Sequence, residues 1–181
     1  MNWEEVARVA ANAPALPGIT PEVGLTRFYP YGADFAHSVG YVGPVSERDL
    51  EARPDPDPVL MMPQFQIGKI GLEREMEDDL RGSAGNRRIE VNNVGREMRE
   101  LDRQEGDPGT DIQLTLDRAL QAFCLGRLGE DSASVVVMEV ATGNILALAS
   151  SPSFDPNLFV RGISSADYAG LRDNDRRPTS N

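Results

Sequence analysis

The stretch that decides the fold runs from residue 133 to residue 149 and reads Ala133-Ser-Val-Val-Val-Met-Glu-Val140, Ala141-Thr-Gly143 and Asn144-Ile-Leu-Ala-Leu-Ala149. Its two halves are rich in β-branched and aliphatic residues, which favour strands, and the three residues between them favour a turn. The sequence therefore predicts an antiparallel hairpin. Because its apolar runs are nearly continuous, we expect the hairpin to be buried on both faces.

The segments on either side of this hairpin are predicted to contain helices. Asp117 is placed to cap a helix that precedes the hairpin, and Ser164 or Ser165 is placed to cap a last helix. Such side chains accept hydrogen bonds from the free N–H groups of a first helical turn. Residues 111–116 alternate polar and apolar side chains, and this pattern predicts a strand before the first of these helices.

Toward the N-terminus the sequence predicts short elements separated by turns. They are a helix over 2–12, a strand over 23–29, a short helix over 33–39, a second one over 47–52 capped by Ser46, a proline-rich connector over 53–58, an amphipathic helix over 71–82 and a hairpin over 87–101, with a loop over 152–157 nearer the C-terminus. Gly82 is placed to end the amphipathic helix, since glycine readily adopts the positive φ of a helix C-terminus. Short helices together with small antiparallel hairpins make the predicted fold class α+β.

The chain is acidic. Its 181 residues include 18 Lys and Arg against 29 Asp and Glu, which gives a formal net charge of −11. Because a phosphate backbone binds clustered cations, this balance argues against nucleic acid as a partner. The longest apolar run covers only residues 145–149, whereas a membrane-spanning helix needs roughly 20 apolar residues. The first residues also lack the basic and apolar regions of a signal peptide, so we expect any export signal to lie outside this sequence.

Neither a metal site nor a cofactor site is predicted. Cys124 and His37 are the single cysteine and the single histidine, so the chain can form neither an internal disulfide nor a Cys/His zinc site. We expect Cys124 to be a buried structural thiol and His37 to have a packing or surface role. A dense acidic run consists of Glu73, Glu75, Glu77, Asp78 and Asp79. This run could gather a divalent cation, but its spacing is that of a helix and predicts a solvated outer face.

The lysine content decides whether a lysine-activated serine is present. That chemistry needs the motif S-x-x-K, which places the two side chains one helical turn apart. Lys69 is the single lysine, and Gln66 stands three residues before it. The motif S-x-N is absent from the sequence as well, and Lys69-Ile-Gly71 is only a near match to K-T-G. The sequence therefore predicts no catalytic residue.

A further set of stretches resembles the class B penicillin-binding proteins that act in cell elongation. The stretches occur in the same order as in that family over nearly the whole chain, and this collinearity is more specific than any one motif. They are Pro21-Glu-Val-Gly-Leu-Thr-Arg27, Tyr29-Pro-Tyr31, residues 37–43, Val45-Ser-Glu47, Ile67-Gly-Lys-Ile-Gly-Leu-Glu73, Leu80-Arg-Gly82, Gly85, Glu90-Val-Asn92, Gly95-Arg96, Pro108-Gly109, Leu114-Thr-Leu-Asp117, Val135-Val-Val-Met138, Thr142-Gly143, residues 145–149, Ser150-Ser-Pro-Ser-Phe-Asp-Pro-Asn157, Gly162-Ile-Ser-Ser165 and Arg177-Pro178.

The resemblance implies a layout in two parts. In that family a membrane anchor precedes an elongated pedestal, also called the dimerisation domain, and a penicilloyl-serine transferase domain follows. Residues 1–108 are similar to the later part of the pedestal, and residues 109–181 to the opening helix and first antiparallel hairpin of a truncated transferase domain. The family's nucleophilic serine would follow residue 181, so no catalytic residue is carried over. Glu73, Arg81 and Gly82 match the packing signature of the pedestal, which implies a structural role for them.

The same resemblance implies a function. The chain would be the non-catalytic part of a periplasmic peptidoglycan D,D-transpeptidase of cell-wall elongation and cell-shape maintenance, tethered to the inner membrane by an anchor outside this sequence. The implied partners are a lipid-linked glycan polymerase and the periplasmic scaffold of the rod complex. Peptidoglycan stem peptides and penicillin would be ligands of full-length family members only, and no cofactor is implied. The alternative is a free-standing periplasmic binding or structural module without enzymatic activity.

Overall fold

The computed structural model describes residues 3–12, 15–16, 26–63, 65–93, 97–160 and 162–179. Within these ranges, short helices and short strands follow one another along the chain. The helices are α1 (Trp3–Ala11), α2 (Ala36–Val39), α3 (Glu47–Glu51), α4 (Gly71–Glu75), α5 (Glu77–Arg81), α6 (Arg118–Leu128), α7 (Asn157–Val160) and α8 (Ser165–Arg172), with 3₁₀ turns at Gly32–Asp34 and Pro58–Met61. The strands are β1 (Val42–Pro44), β2 (Gln66–Gly68), β3 (Asn86–Val91), β4 (Glu97–Gln104), β5 (Ala133–Met138) and β6 (Ile145–Ser151). The predicted α+β class is confirmed.

The strands pair into two-stranded antiparallel sheets, β1 with β2, β3 with β4 and β5 with β6. Both predicted hairpins are therefore confirmed. The predicted turn of the first one falls partly on residues 94–96, which lie outside the described residues. The pair β1–β2, in which Val42 lies opposite Gly68, was not predicted. Each of these strands has only three residues, too few for the alternation that marks a strand in sequence.

The predicted helix starts are confirmed where the capping bond is local. The Asp117 carboxylate accepts a hydrogen bond from the backbone N–H of Leu120 at 2.7 Å, which starts α6. The Ser164 hydroxyl accepts from the backbone N–H of Asp167 at 3.1 Å, which starts α8. At α3 the backbone N–H of Ser46 donates to the side chain of a residue three positions later. These bonds depend on neighbours within one turn and are therefore readable from sequence.

The β5–β6 hairpin is covered on one face by α6. Cys124 of that helix packs against Ala147 and Ala149, and all three are buried. The buried position expected for the Cys124 thiol is thereby confirmed. The expectation that the hairpin is buried on both faces is wrong for this chain, because Val136 and Met138 on the opposite face are 57% and 56% exposed. The helix α2 also contacts β6, since the Ser38 hydroxyl donates to the Leu148 carbonyl at 3.1 Å.

The predicted single helix over 71–82 is wrong in one respect, because it is interrupted at Met76 and forms the two short helices α4 and α5. Two carboxylates of the acidic run, which stand four positions apart, are buried. Glu73 is 4% exposed and Glu77 is 7% exposed. The predicted solvated face is therefore wrong for these two residues, which have buried hydrogen-bonding partners elsewhere in the chain.

Two predicted strands are also wrong. Residues 26–29 form no regular strand, and residues 23–25 lie outside the described residues. Residues 111–116 run beside β6 without forming a ladder; the Thr115 hydroxyl donates to the Ile145 carbonyl at 2.7 Å, and the Asp117 N–H donates to the Leu146 carbonyl at 2.8 Å. In both places side chains supply part of the bonding that a strand would provide through its backbone.

The predicted N-terminal helix is confirmed as α1, although Asn2, its predicted cap, lies outside the described residues. No residue of α1 is buried, and Trp3 is 73% exposed. None of the helices in the described ranges has the length and apolar character needed to cross a membrane.

Candidate functional site

Lys69, the single candidate for a catalytic amine, is held by a carboxylate. Its Nζ donates to Asp49 Oδ2, and the same oxygen accepts from the backbone N–H of Ser46 at 2.7 Å and from its hydroxyl at 2.6 Å. Gln66 occupies the position that a serine would take in S-x-x-K, and its side-chain amide donates to the Val160 carbonyl. Lys69 therefore forms an ion pair with Asp49, and this pair holds α3 against the end of β2.

The Asp49–Lys69 pair gives the chain a pH dependence at acidic pH. Partial burial alone would raise the pKa of Asp49, but the hydrogen bonds from Lys69 and Ser46 outweigh it and hold that pKa below its ordinary value of 3.8. A group whose pKa is lower in the folded state stabilises the fold above the unfolded-state pKa, and this stabilisation is lost as pH falls through the folded-state pKa.

We therefore expect Asp49→Asn to lower the free energy of unfolding by about 1 kcal/mol at pH 7 and by progressively less below pH 4. Urea unfolding of both proteins across this pH range measures the difference. Asp167→Asn is the matched control, since Asp167 accepts from the Ser164 hydroxyl in a similar cap but has no lysine beside it among the described residues. The free energies of unfolding of the wild type and of Asp49→Asn are compared at each pH. If their difference stays constant from pH 7 to pH 2, the Asp49–Lys69 pair is not the source of the pH dependence.

Two serines at and just after the end of β6 tie segments of backbone together. The Ser151 hydroxyl donates to the Gly129 carbonyl at 2.6 Å, and the Ser153 hydroxyl donates to the Ala33 carbonyl at 2.6 Å. A hydroxyl that donates to a carbonyl oxygen has no general base at that contact. These bonds support the turn and capping role that such residues commonly have.

His37 packs in the core between the N-terminal and C-terminal parts of the chain. Its Nε2 lies 3.3 Å from the Pro152 carbonyl oxygen, and its ring meets Phe154 edge-on with centroids 5.5 Å apart. Burial lowers the pKa of His37 below its ordinary value, against the opposing effect of the Pro152 carbonyl. The imidazole is therefore neutral at pH 7, and the expected packing role is confirmed.

An ionic group is centred on Glu73 in α4, the most buried carboxylate of the described residues. Arg27 binds this carboxylate in a bidentate manner, with Nε 2.8 Å from Oε1 and Nη2 2.9 Å from Oε2. The Tyr29 hydroxyl donates to Oε1 at 3.2 Å and accepts from the backbone N–H of Val42 at 2.9 Å. Burial, followed by the negative charge of Glu73, raises the pKa of Tyr29 above its ordinary value. We call Arg27, Tyr29 and Glu73 the carboxylate cluster.

Arg81 and Gly82, the other two residues predicted to be structural, lie at the end of α5. Arg81 Nη2 donates to Asp78 Oδ1 at 3.0 Å, and Nη1 lies 3.9 Å from Glu77 Oε1. Glu77 in turn accepts from the backbone N–H of Gly68 at 2.6 Å. Glu73 and Arg81 are therefore not partners of each other; each lies in a separate ionic group on the two short helices.

Gly82 turns the chain out of α5 with a φ of +69° and a ψ of −155°, a conformation that is almost restricted to glycine. A Cβ atom at this position would lie 2.3 Å from the Asp107 carbonyl oxygen. The following residue, Ser83, donates its N–H to the same carbonyl at 3.0 Å. Gly82 thereby closes the β3–β4 hairpin against the end of α5.

Polar side chains join the regions before and after residue 108. Asn157 of α7 binds the backbone of Tyr29 on both sides, since its Oδ1 accepts from the Tyr29 N–H at 3.0 Å and its Nδ2 donates to the Tyr29 carbonyl at 3.0 Å. Gln121, which is 1% exposed, donates to the carbonyls of Asp34 and Leu148, both at 2.8 Å. Tyr29 is therefore held by α4 through its hydroxyl and by α7 through its backbone.

An open groove of about 560 Å³ lies beside the carboxylate cluster, between residues 27–39, the helices α4 and α5, and residues 112–118. We call it the junction groove. Its lining includes Phe28, Tyr31, Leu80, Ile112, Leu114 and Arg118. Phe28 is 72% exposed and Tyr31 is 46% exposed. The arrangement offers a binding surface, and within the described residues no group of metal-ligating side chains accompanies it.

Sequence reasoning missed Arg27, Tyr29 and Asn157. Arg27 and Tyr29 stand in an extended segment, and the partners that give them their roles lie 44 to 128 positions further along the chain. The sequence signal that could have found them is the collinear resemblance to the penicillin-binding proteins, since all three residues stand in stretches that belong to it.

The chain is similar in sequence to known penicillin-binding proteins. Residues 1–114 match the family described as the penicillin-binding protein dimerisation domain. The chain is 43% identical over 179 residues to the peptidoglycan D,D-transpeptidase MrdA of Escherichia coli K12, and 33% identical over 173 residues to penicillin-binding protein 3 of Bacillus subtilis. These alignments cover 98% and 96% of this chain. The chain spans only 28% and 25% of the length of these two relatives.

Solved structures show the same similarity. PBP2 of Helicobacter pylori, in its complex with MreC, matches the whole of this chain with a TM-score of 0.85 and 28% sequence identity, over 33% of that chain's length. PBP2 of Pseudomonas aeruginosa, in complex with WCK 5153, matches 89% of this chain with a TM-score of 0.71 and 36% identity, over 31% of that chain's length.

Proposed function

The chain belongs to the penicillin-binding protein family, as its collinear stretches predicted, and from that premise we propose that it is the non-catalytic pedestal of a peptidoglycan D,D-transpeptidase of cell elongation. Residues 1–108 form the later part of this pedestal, and residues 109–181 begin the transferase domain. The pedestal stands in the periplasm, where the substrate of such an enzyme lies, and positions the catalytic domain.

Two observations support this proposal. The match to the dimerisation domain covers residues 1–114, while the single lysine of the chain is paired with Asp49 and has no serine at the S-x-x-K spacing. Acylation needs a serine activated by a neighbouring base and donors placed where negative charge develops. The Ser151 and Ser153 hydroxyls donate to backbone carbonyls, which supports a chain that acts through contacts with other proteins and with the catalytic domain.

The partners we propose are the periplasmic scaffold and the lipid-linked glycan polymerase of the elongation machinery. The H. pylori PBP2 that this chain resembles was solved with MreC, and a scaffold of that kind is the first candidate. Exposed apolar side chains on several elements, such as Phe28, Met61 and Met98, support a docking role, since large exposed apolar groups mark interaction surfaces.

We expect no covalent adduct between this chain and penicillin. Incubation with a fluorescent penicillin, followed by denaturing electrophoresis, measures the adduct directly, with full-length E. coli MrdA as the positive control. The chain should leave no labelled band while the control is labelled. A labelled band at 19.7 kDa that disappears in a Ser153→Ala or Ser151→Ala variant would overturn the non-catalytic assignment.

A further inference from the structure

The junction groove has apolar walls from several separate segments. Phe28 and Tyr31 come from the segment that holds the carboxylate cluster, Leu80 comes from α5, and Ile112 and Leu114 come from the segment before α6. Folding leaves Phe28 72% exposed, although burying a phenylalanine side chain is favourable. Aromatic side chains left at the rim of an open apolar groove are typical anchors for a partner.

Arg118 provides a positive charge at this groove. Its guanidinium lies over the Tyr31 ring, with Cζ 4.5 Å from the ring centroid. Within the described parts of the chain no carboxylate lies within ion-pair distance of Arg118. The stacking on Tyr31 fixes the plane of the guanidinium and, as far as the described residues go, leaves its N–H donors for another group.

Among the described residues that line the groove, the other two charges cancel. Arg27 and Glu73 bind one another in the bidentate pair already described, so Arg118 gives the groove a net positive charge. The chain as a whole has a net charge of −11. An acidic ligand would be repelled over most of this surface, and the groove offers it an attractive site.

We propose that the junction groove is a docking site for a segment of a partner protein in which a large apolar side chain stands next to a carboxylate. The apolar side chain enters between Phe28 and Leu114, and the carboxylate pairs with Arg118. A protein segment fits better than a small metabolite, because the groove is open along its length and would leave a small ligand largely in water. The inference rests on the proposed function in one respect, namely that a pedestal receives protein partners.

The test uses the 181-residue chain as the target for a phage-displayed library of random dodecapeptides. The most enriched sequences are synthesised with a fluorescein label, and their Kd values are measured by fluorescence anisotropy. Enriched peptides should combine an aromatic or aliphatic residue with an adjacent Asp or Glu. Arg118→Gln and Phe28→Ser should each weaken binding about tenfold, as loss of a charge-assisted bond or of an apolar anchor does.

Two control variants match these changes outside the groove. Arg127 also lies over an aromatic ring, with its Cζ 5.9 Å from the centroid of the Phe123 ring. Phe123 is 63% exposed. Arg127→Gln and Phe123→Ser should leave the Kd within about twofold of the wild-type value, which also shows that the effects at Arg118 and Phe28 are local.

Absence of enrichment, enrichment of peptides without acidic residues, or a Kd that Arg118→Gln does not change would each overturn the docking site. These outcomes leave the pedestal assignment standing, because penicillin labelling tests that assignment without reference to the groove. The opposite result is also possible, in which penicillin labels the chain while Arg118→Gln still weakens peptide binding. That result would overturn the proposed function and keep the docking site.

Discussion

Glu73→Ala is expected to lower the free energy of unfolding by about 3 kcal/mol. The change removes the carboxylate that binds both Arg27 nitrogens and the Tyr29 hydroxyl. It leaves the Arg27 guanidinium without its carboxylate and the Tyr29 hydroxyl without an acceptor for its proton, although that hydroxyl still accepts from the Val42 N–H, and these losses cost more than the pair contributes. Arg27 is 39% exposed, so water compensates part of the loss and keeps it at the lower end of the range for buried pairs. Urea unfolding followed by circular dichroism measures the change.

Glu75→Ala is the matched control for this prediction, since Glu75 lies on the same helix with an exposed side chain. Its effect should stay within about 0.5 kcal/mol. Glu73→Gln should fall between the two, because the amide keeps an acceptor for Tyr29 and removes the charge. If Glu73→Ala and Glu75→Ala unfold at the same urea concentration, the carboxylate cluster does not hold residues 26–29 against α4.

Gly82→Ala is expected to destabilise the chain by about 3 kcal/mol or more. A non-glycine residue with this φ and ψ costs of the order of 1–3 kcal/mol. The new Cβ would also lie 2.3 Å from the Asp107 carbonyl oxygen, a backbone atom that can move away only if the end of β4 moves with it. Thermal unfolding measured by calorimetry should show a lower midpoint.

Gly126→Ala is the control for the glycine substitution. Gly126 lies inside α6, and a Cβ atom there meets no atom within 4 Å. Alanine in a helix interior is favoured over glycine by about 1 kcal/mol, so this variant should be slightly more stable than the wild type. A midpoint for Gly82→Ala that matches that of Gly126→Ala would show that Gly82 is not required at the end of α5.

The parts of the fold that sequence predicted depend on near neighbours. The caps at Ser46, Asp117 and Ser164 bond within three positions of themselves, so the deciding partners stand inside the same short stretch. The β5–β6 hairpin was readable for the same reason, since its two strands are separated by a few residues. Local bonding of this kind is visible without a tertiary structure.

The parts that sequence did not predict depend on distant partners. Glu73 and Glu77 belong to an acidic run whose ordinary place is in water. Their burial is explained by partners on other segments, namely Arg27 and Tyr29 for Glu73 and the Gly68 N–H for Glu77, and by Arg81 on the same helix as Glu77. The junction groove was equally hidden, because its walls come from three segments of the chain. The exposed face of β5–β6 was mispredicted because an apolar run does not say whether its cover lies in the same stretch of sequence.

The central claim is that this chain works as the pedestal of an elongation transpeptidase, and cell shape tests it most directly. The matching stretch of E. coli MrdA, with which this chain is 43% identical, would be replaced by the chain in cells that lack their own MrdA. We predict that cells with the chimera remain rod-shaped, and that the same chimera carrying Gly82→Ala becomes round. Round cells with the unmutated chimera, present at the normal level and labelled by fluorescent penicillin, would contradict the claim.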